Sequence, residues 1–140
     1  MTITFDTETI RLITLFENLT GAPVRDCIVD NSNNYVYFIV EEGKMGVAIG
    51  RNGSSVRSAE KIMGKNIKVF EFSKDLRTFV KKLIPKALEV RIKNQEGKVL
   101  VEVKVEKRDK PLVIGRNGRN LKLLKELLHR NHGVDELIIW

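Results

Sequence analysis

Gly50-Arg51-Asn52-Gly53 returns 65 residues later as Gly115-Arg116-Asn117-Gly118. Each copy follows a short aliphatic step, Val47-Ala48-Ile49 in one case and Leu112-Val113-Ile114 in the other. Each is followed three positions after its last glycine by another aliphatic residue, Val56 or Leu121. Four identical residues in the same apolar frame, twice in a chain of 140, point to a duplicated module built around a glycine-bracketed basic turn.

Working outward from the turns, the same element order emerges on both sides. Residues 6–20 read as a helix capped by Asp6 or Thr7, with Ile10, Ile13 and Phe16 at helical spacing and Gly21 and Pro23 as its stop. Val24 to Asp30 and Tyr35 to Glu41 read as strands of a hairpin around Asn31-Ser32-Asn33-Asn34. A short helix runs from Lys44 to Ile49 into the turn. A second, capped by Ser54 or Ser55, continues to Met63 with Val56, Ala59 and Ile62 inward, and Ile67 to Phe72 is a third strand.

The second half repeats this order. A helix from Lys74 to Ile84 is expected, capped by Ser73 and stopped by Pro85. Leu88 to Ile92 and Val99 to Val105 make a hairpin around Asn94-Gln95-Glu96-Gly97, with Val99, Val101, Val103 and Val105 on the buried face. A short helix from Asp109 or Lys110 enters the second turn. A longer one, Arg119 to Asn131, leaves it with Leu121, Leu124, Leu127 and Leu128 inward, and Val134 to Trp140 is the last strand. The fold class is therefore α+β, with two modules at 1–72 and 73–140, each a three-stranded sheet packed against helices. Ser73 leaves almost no linker, so a stiff joint is expected.

Charge narrows the partner. The net charge is +7. Residues 1–72 hold 8 Lys and Arg against 9 Asp and Glu, while residues 73–140 hold 17 against 9. The excess in the second half indicates a directed basic patch for a polyanion, with nucleic acid ahead of a membrane surface. One cysteine, Cys27, excludes an intrachain disulfide and fits a reducing compartment. No apolar run is long enough to span a bilayer and no signal-peptide pattern opens the chain, so a cytoplasmic protein without a membrane partner is expected.

The turn itself limits the ligand chemistry. A Walker loop needs a longer glycine loop ending in Lys-Ser/Thr, and a dinucleotide fingerprint needs a third glycine after a strand. Neither is present. What remains is a tight link between two helices, with amides exposed at the start of the second helix to attract phosphate oxygens. Gly50, Gly53, Gly115 and Gly118 let a nucleic-acid backbone approach closely. Arg51 and Arg116 add charge-assisted contacts, and Asn52 and Asn117 offer hydrogen bonds and tolerate turn geometry.

At this point the chain resembles the KH family, whose signature is a GxxG loop between two helices that clamps the backbone of about four nucleotides. The helix-first, strand-last order is similar to the type II KH arrangement, in two tandem copies. Within that family the chain resembles archaeal NusA-like transcription factors. The resemblance implies a groove for bases lined by Ile49 and Val56 in the first module and Ile114 and Leu121 in the second. For Val56 and Leu121 an ordinary core role stands beside the groove role. It also implies single-stranded RNA as partner, RNA polymerase as a candidate second partner, and action in transcription termination or antitermination through nascent RNA.

Other residues carry less. His129 and His132 lack the further ligands a metal site needs. Cys27 reads as a small core residue, and Trp140 as a packed strand end. Lys110 enters the second turn directly and is the favoured phosphate contact among the flanking lysines; Lys81 and Lys82 are secondary. No catalytic constellation, cofactor or metal is expected, and the protein is expected to be a monomer and not an enzyme. Two rival functions remain: an adaptor that uses KH folds to bind RNA polymerase or the ribosome, and a single-stranded DNA binder.

Overall fold

The structure is a computed structural model that describes residues 5–140. Chain contacts divide it into two compact units that part between Ser73 and Lys74. The element order is α1 (Thr7–Thr20), β1 (Val24–Asp30), β2 (Tyr35–Val40), α2 (Met45–Ile49), a 3₁₀ turn (Arg51–Gly53), α3 (Ser54–Met63) and β3 (Asn66–Glu71). It then repeats as α4 (Leu76–Leu83), β4 (Glu89–Gln95), β5 (Lys98–Lys104), α5 (Lys110–Ile114), a 3₁₀ turn (Arg116–Gly118), α6 (Arg119–His132) and β6 (Glu136–Ile139). The two sheets are ordered β1-β2-β3 and β4-β5-β6.

In the first unit the Asp6 carboxylate accepts the Thr9 amide at 2.8 Å and caps α1. Gly21, with φ of 80°, closes the helix by donating its amide to the Glu17 carbonyl. β1 and β2 pair antiparallel with an irregularity between Val24 and Asp26. β2 and β3 pair parallel, from Tyr35 opposite Asn66 to Val40 opposite Glu71. A parallel neighbour cannot be reached by a hairpin. The crossover is made by α2, the 3₁₀ turn and α3, and this is where the glycine loop sits.

Leu12 and Phe16 of α1, Val36, Phe38 and Val40 of β2, Ala48 of α2, Ala59 of α3, and Ile67 and Val69 of β3 form one buried cluster. Phe16 stacks on Phe38 with ring centroids 4.1 Å apart. Cys27 is buried in the same cluster. Ile10 lies outside it, 52% exposed, so the buried stripe of α1 runs through Leu12 and Phe16 with Ile13 only partly covered. Ile62 is also on the outside, 58% exposed, and Met63 packs inward in its place. The N-cap of α3 is Gly53, which has no side chain to offer, so neither Ser54 nor Ser55 caps this helix.

The second unit repeats the plan with different local chemistry. Ser73 does not cap α4. Asp75 does, and the helix starts at Leu76. The Asp75 carboxylate accepts the Thr78 hydroxyl at 2.6 Å and the Thr78 amide at 3.0 Å. The β4–β5 hairpin is tighter than the four-residue turn expected. Gln95 pairs with Lys98, and Glu96 and Gly97 alone reverse the chain, with φ of 52° and 80°. Two consecutive positive φ values are the mark of a primed turn, whose twist suits the strands. Val90, Val101, Val103, Leu137 and Ile139 fill the inner face of the sheet, with Phe79, Val80 and Leu83 of α4 and Leu124, Leu127 and Leu128 of α6 also buried. Gly133 ends α6 in the left-handed conformation, and His129 Nδ1 lies 3.0 Å from the Val134 carbonyl just beyond it. Trp140 hydrogen-bonds through its backbone to Val103 and Val105, yet its side chain is 38% exposed, with Arg91 and Lys104 near the ring.

The Thr78 hydroxyl bond and then the Thr78 amide hold the Asp75 carboxyl below its ordinary pKa. A carboxyl lowered on folding stabilises the fold fully above its unfolded value, near pH 4, and the contribution is lost as pH falls through the lower folded value. The melting-temperature gap between wild type and Asp75→Ala is therefore expected to hold above about pH 5 and to narrow as pH falls below about 4. Thermal melts at stepped pH check this.

Candidate nucleic-acid interface

The two turns share one backbone conformation. Gly50 has φ 77° and ψ 173°, and Gly115 has 80° and 169°. Asn52 has φ 54° and ψ 29°, and Asn117 has 58° and 27°. Gly53 and Gly118 have φ 75° and 71°. Corresponding angles agree within 4°. The amide of each closing glycine donates to the carbonyl of the leading glycine at 3.1 Å. The leading glycine occupies a region that only glycine enters without strain.

Space reinforces the angle. A Cβ on Gly50 would lie 2.3 Å from the Ser55 hydroxyl and 2.7 Å from the Ser55 nitrogen. A Cβ on Gly115 would lie 2.8 Å from the Asn120 Cβ and 2.9 Å from the Asn120 nitrogen. The leading glycine is thus pressed against the first turn of the following helix. Asn52 and Asn117 sit in the left-handed region, which asparagine tolerates better than other side-chain-bearing residues. Their identity serves the backbone as well as any ligand.

Arg51, Asn52, Arg116 and Asn117 are all exposed, and no carboxylate among the described residues pairs with either arginine. An exposed arginine within a tight turn that leads into a helix N-terminus has the chemistry to meet a phosphate oxygen. Ile49, Val56, Ile114 and Leu121 are half-buried. Ile49 and Val56 pack against the first core while keeping part of their surface open. Lys110 is exposed at the start of α5. It stands a helix rise of roughly 7 Å from Gly115, at the far end of the short helix and not at the turn.

Further residues lie at the loops that were not singled out from the sequence. Asn120 Nδ2 donates to the Val113 carbonyl at 2.7 Å and ties α6 to α5 across the second turn. Arg57 brings its guanidinium to 3.1 Å from where a Cβ on Gly53 would stand. Lys122 holds the matching position, four residues past the closing glycine, but nothing lies within 4 Å of the corresponding point on Gly118. Arg119, exposed, begins α6 where α3 has Ser54. Extending the alignment of the two turns by four residues finds all of these positions. Among the described residues no three His, Cys, Asp or Glu side chains gather as a metal site, and no helix is long and apolar enough to cross a membrane.

A helix–GxxG–helix crossover between parallel strands, made twice, defines a tandem KH-domain protein. Residues 11–82 match the KH domain family, and residues 73–131 match the KH domain of the KhpA/KhpB kind. The likeness extends over nearly the whole chain. The protein named "Probable transcription termination protein NusA" from Methanococcus vannielii is 37% identical over 139 residues, 98% of this chain and 79% of the relative. The Halobacterium salinarum protein of the same name is 32% identical over 138 residues, with 98% of both chains covered. The crystal structure of APE1850 superposes with a TM-score of 0.79 at 37% identity, over 97% of this chain and all of that one. The chain belongs to the archaeal NusA family of tandem KH-domain proteins.

The shared turn geometry makes a stability prediction. Gly115→Ala combines a forbidden backbone region with contact against Asn120 and is expected to cost about 1–3 kcal/mol. Asn117→Gly keeps the left-handed angle available and is expected to change stability by less than about 1 kcal/mol. Urea unfolding of the two variants beside wild type measures the difference.

Proposed function

We propose that this protein binds single-stranded RNA through both Gly-Arg-Asn-Gly loops and acts in transcription termination or antitermination through nascent RNA. The observation that carries the reading is the repetition of one strained backbone conformation in both units, each presenting an arginine that no carboxylate among the described residues neutralises. A purely structural link between helices has no need of the unpaired charge. The relatives' names connect the family to termination, and the KH fold supplies the way a nucleic-acid backbone is held.

In this reading the leading and closing glycines leave the loop bare enough for a phosphate to reach it. Arg51 and Arg116 supply the charge-assisted bonds, and Ile49, Val56, Ile114 and Leu121 offer aliphatic surface to the bases. Specificity then comes from base size and edge contacts. RNA polymerase is the second partner this role calls for. The second loop contributes more of the affinity, because Arg119 and Lys122 flank it and its half of the chain carries the charge excess.

The test replaces Arg116-Asn117 by Asp-Asp, which keeps the turn and reverses its charge. Binding of a labelled RNA of randomised sequence is expected to fall at least about tenfold, with the melting temperature unchanged, and wild-type affinity is expected to drop steeply with salt. Wild-type affinity in the Asp-Asp variant sinks the assignment. Matched DNA oligonucleotides separate the nucleic acids, because only RNA offers a 2′-hydroxyl. Binding to polymerase with no binding to either oligonucleotide favours an adaptor.

A further inference from the structure

The first loop carries a second guanidinium. Arg57 lies one helical turn beyond Gly53, on the face of α3 that looks back at the loop, and its Nη1 comes within 3.1 Å of the Gly53 Cβ position, with Cζ at 3.8 Å. A long, exposed, charged side chain ordinarily extends into water or towards a carboxylate. The acid nearest along α3 is Glu60, and its Oε2 is engaged with the Ile67 amide at 3.0 Å on β3. No carboxylate among the described residues pairs with Arg57 or with Arg51. Two uncompensated guanidinium groups thus belong to one bare turn.

We propose that Arg57 is a phosphate-binding residue of the first clamp, acting with Arg51 on the nucleic-acid backbone at the Gly50–Gly53 loop. The absent side chain of Gly53 makes room for the guanidinium beside the loop. Any Cβ there would meet it closer than ordinary van der Waals contact. The planar fork of arginine can give two parallel bonds to one phosphate, which lysine cannot. The second clamp is built otherwise. Its matching residue is Lys122, the space over Gly118 is empty, and Asn120 braces the loop through Val113. In the first unit, whose acids slightly outnumber its basic residues, Arg57 supplies locally the charge that the second unit supplies across its surface.

This inference rests on the proposal that the loops hold single-stranded RNA. The experiment compares wild type, Arg57→Ala, Arg57→Lys and an Arg51-Asn52→Asp-Asp variant in the full chain. Each is titrated with a fluorescein-labelled 12-nucleotide RNA of randomised sequence, at salt from about 50 to 200 mM. Melting temperatures confirm folding. Loss of one phosphate contact is expected to flatten the slope of log affinity against log salt by about 0.7 in Arg57→Ala. Arg57→Lys is expected to keep the wild-type slope while losing affinity several-fold, because charge is retained and the fork is lost. If Arg57→Ala keeps both wild-type slope and affinity while the Asp-Asp variant is weakened, the role of Arg57 is overturned and the loop reading stands. If the Asp-Asp variant binds as wild type, the first loop holds no phosphate and both readings of it fall, whatever Arg57→Ala does.

Discussion

The constraint on which both units depend is a parallel strand pair that must be reached within a short stretch of chain. β2 and β3, and again β5 and β6, run parallel, so each connection has to cross over the sheet and return. A single straight helix would carry the chain along one direction. Here the crossover is broken into a five-residue helix and a longer one, and the break is a turn that begins with a glycine in a conformation other residues avoid. The contact between that glycine and residue Ser55 or Asn120 brings the start of the second helix against the turn. The amide-rich corner lies where the crossover is broken, and in each unit it carries an exposed arginine.

Energy in each unit comes from the layer beneath. In the first, Phe16 and Phe38 stack between α1 and the sheet, and the small residues Ala48 and Ala59 let α2 and α3 lie close to it. Such burial, at about 25 cal/mol per Å² of apolar surface, is what offsets the ordering of a strained turn. The loops thus rest on the core beneath as well as on their own closing hydrogen bonds, and the side chains of Arg51, Asn52, Arg116 and Asn117 stay exposed.

Much of this was legible in the residues. Turn spacing, the two hairpins, the glycine stops and the alternation of Val99, Val101, Val103 and Val105 fix the element order, because each signal is local and repeated. Each misreading has its own physical cause. Ser73 was a plausible cap until Asp75, two residues on, offered a stronger acceptor with a Thr78 hydroxyl in reach. Ile10 and Ile62 satisfy helical periodicity but fall at the edge of the buried stripe, where hydropathy cannot say which neighbour turns inward. At the site, the pairing of Gly50 with Ser55 and of Gly115 with Asn120 was hidden, since a close approach leaves no mark other than the glycine itself. Arg57 was hidden for a different reason. A lone arginine on an exposed helix face looks like solvated charge until the loop it leans over is in view.

The left-handed asparagines have one more consequence, for chemical ageing. Asparagine followed by glycine cyclises readily in a flexible chain: the glycine nitrogen attacks the side-chain amide, ammonia leaves, and water then opens the ring to an acidic residue. Both loops contain this pair, Asn52-Gly53 and Asn117-Gly118. In the folded protein each glycine nitrogen is committed to a hydrogen bond with the carbonyl that opens the turn. The bond that closes the loop therefore also protects it from acquiring a negative charge where a phosphate would be held, and the protection lasts only as long as the turn stays folded.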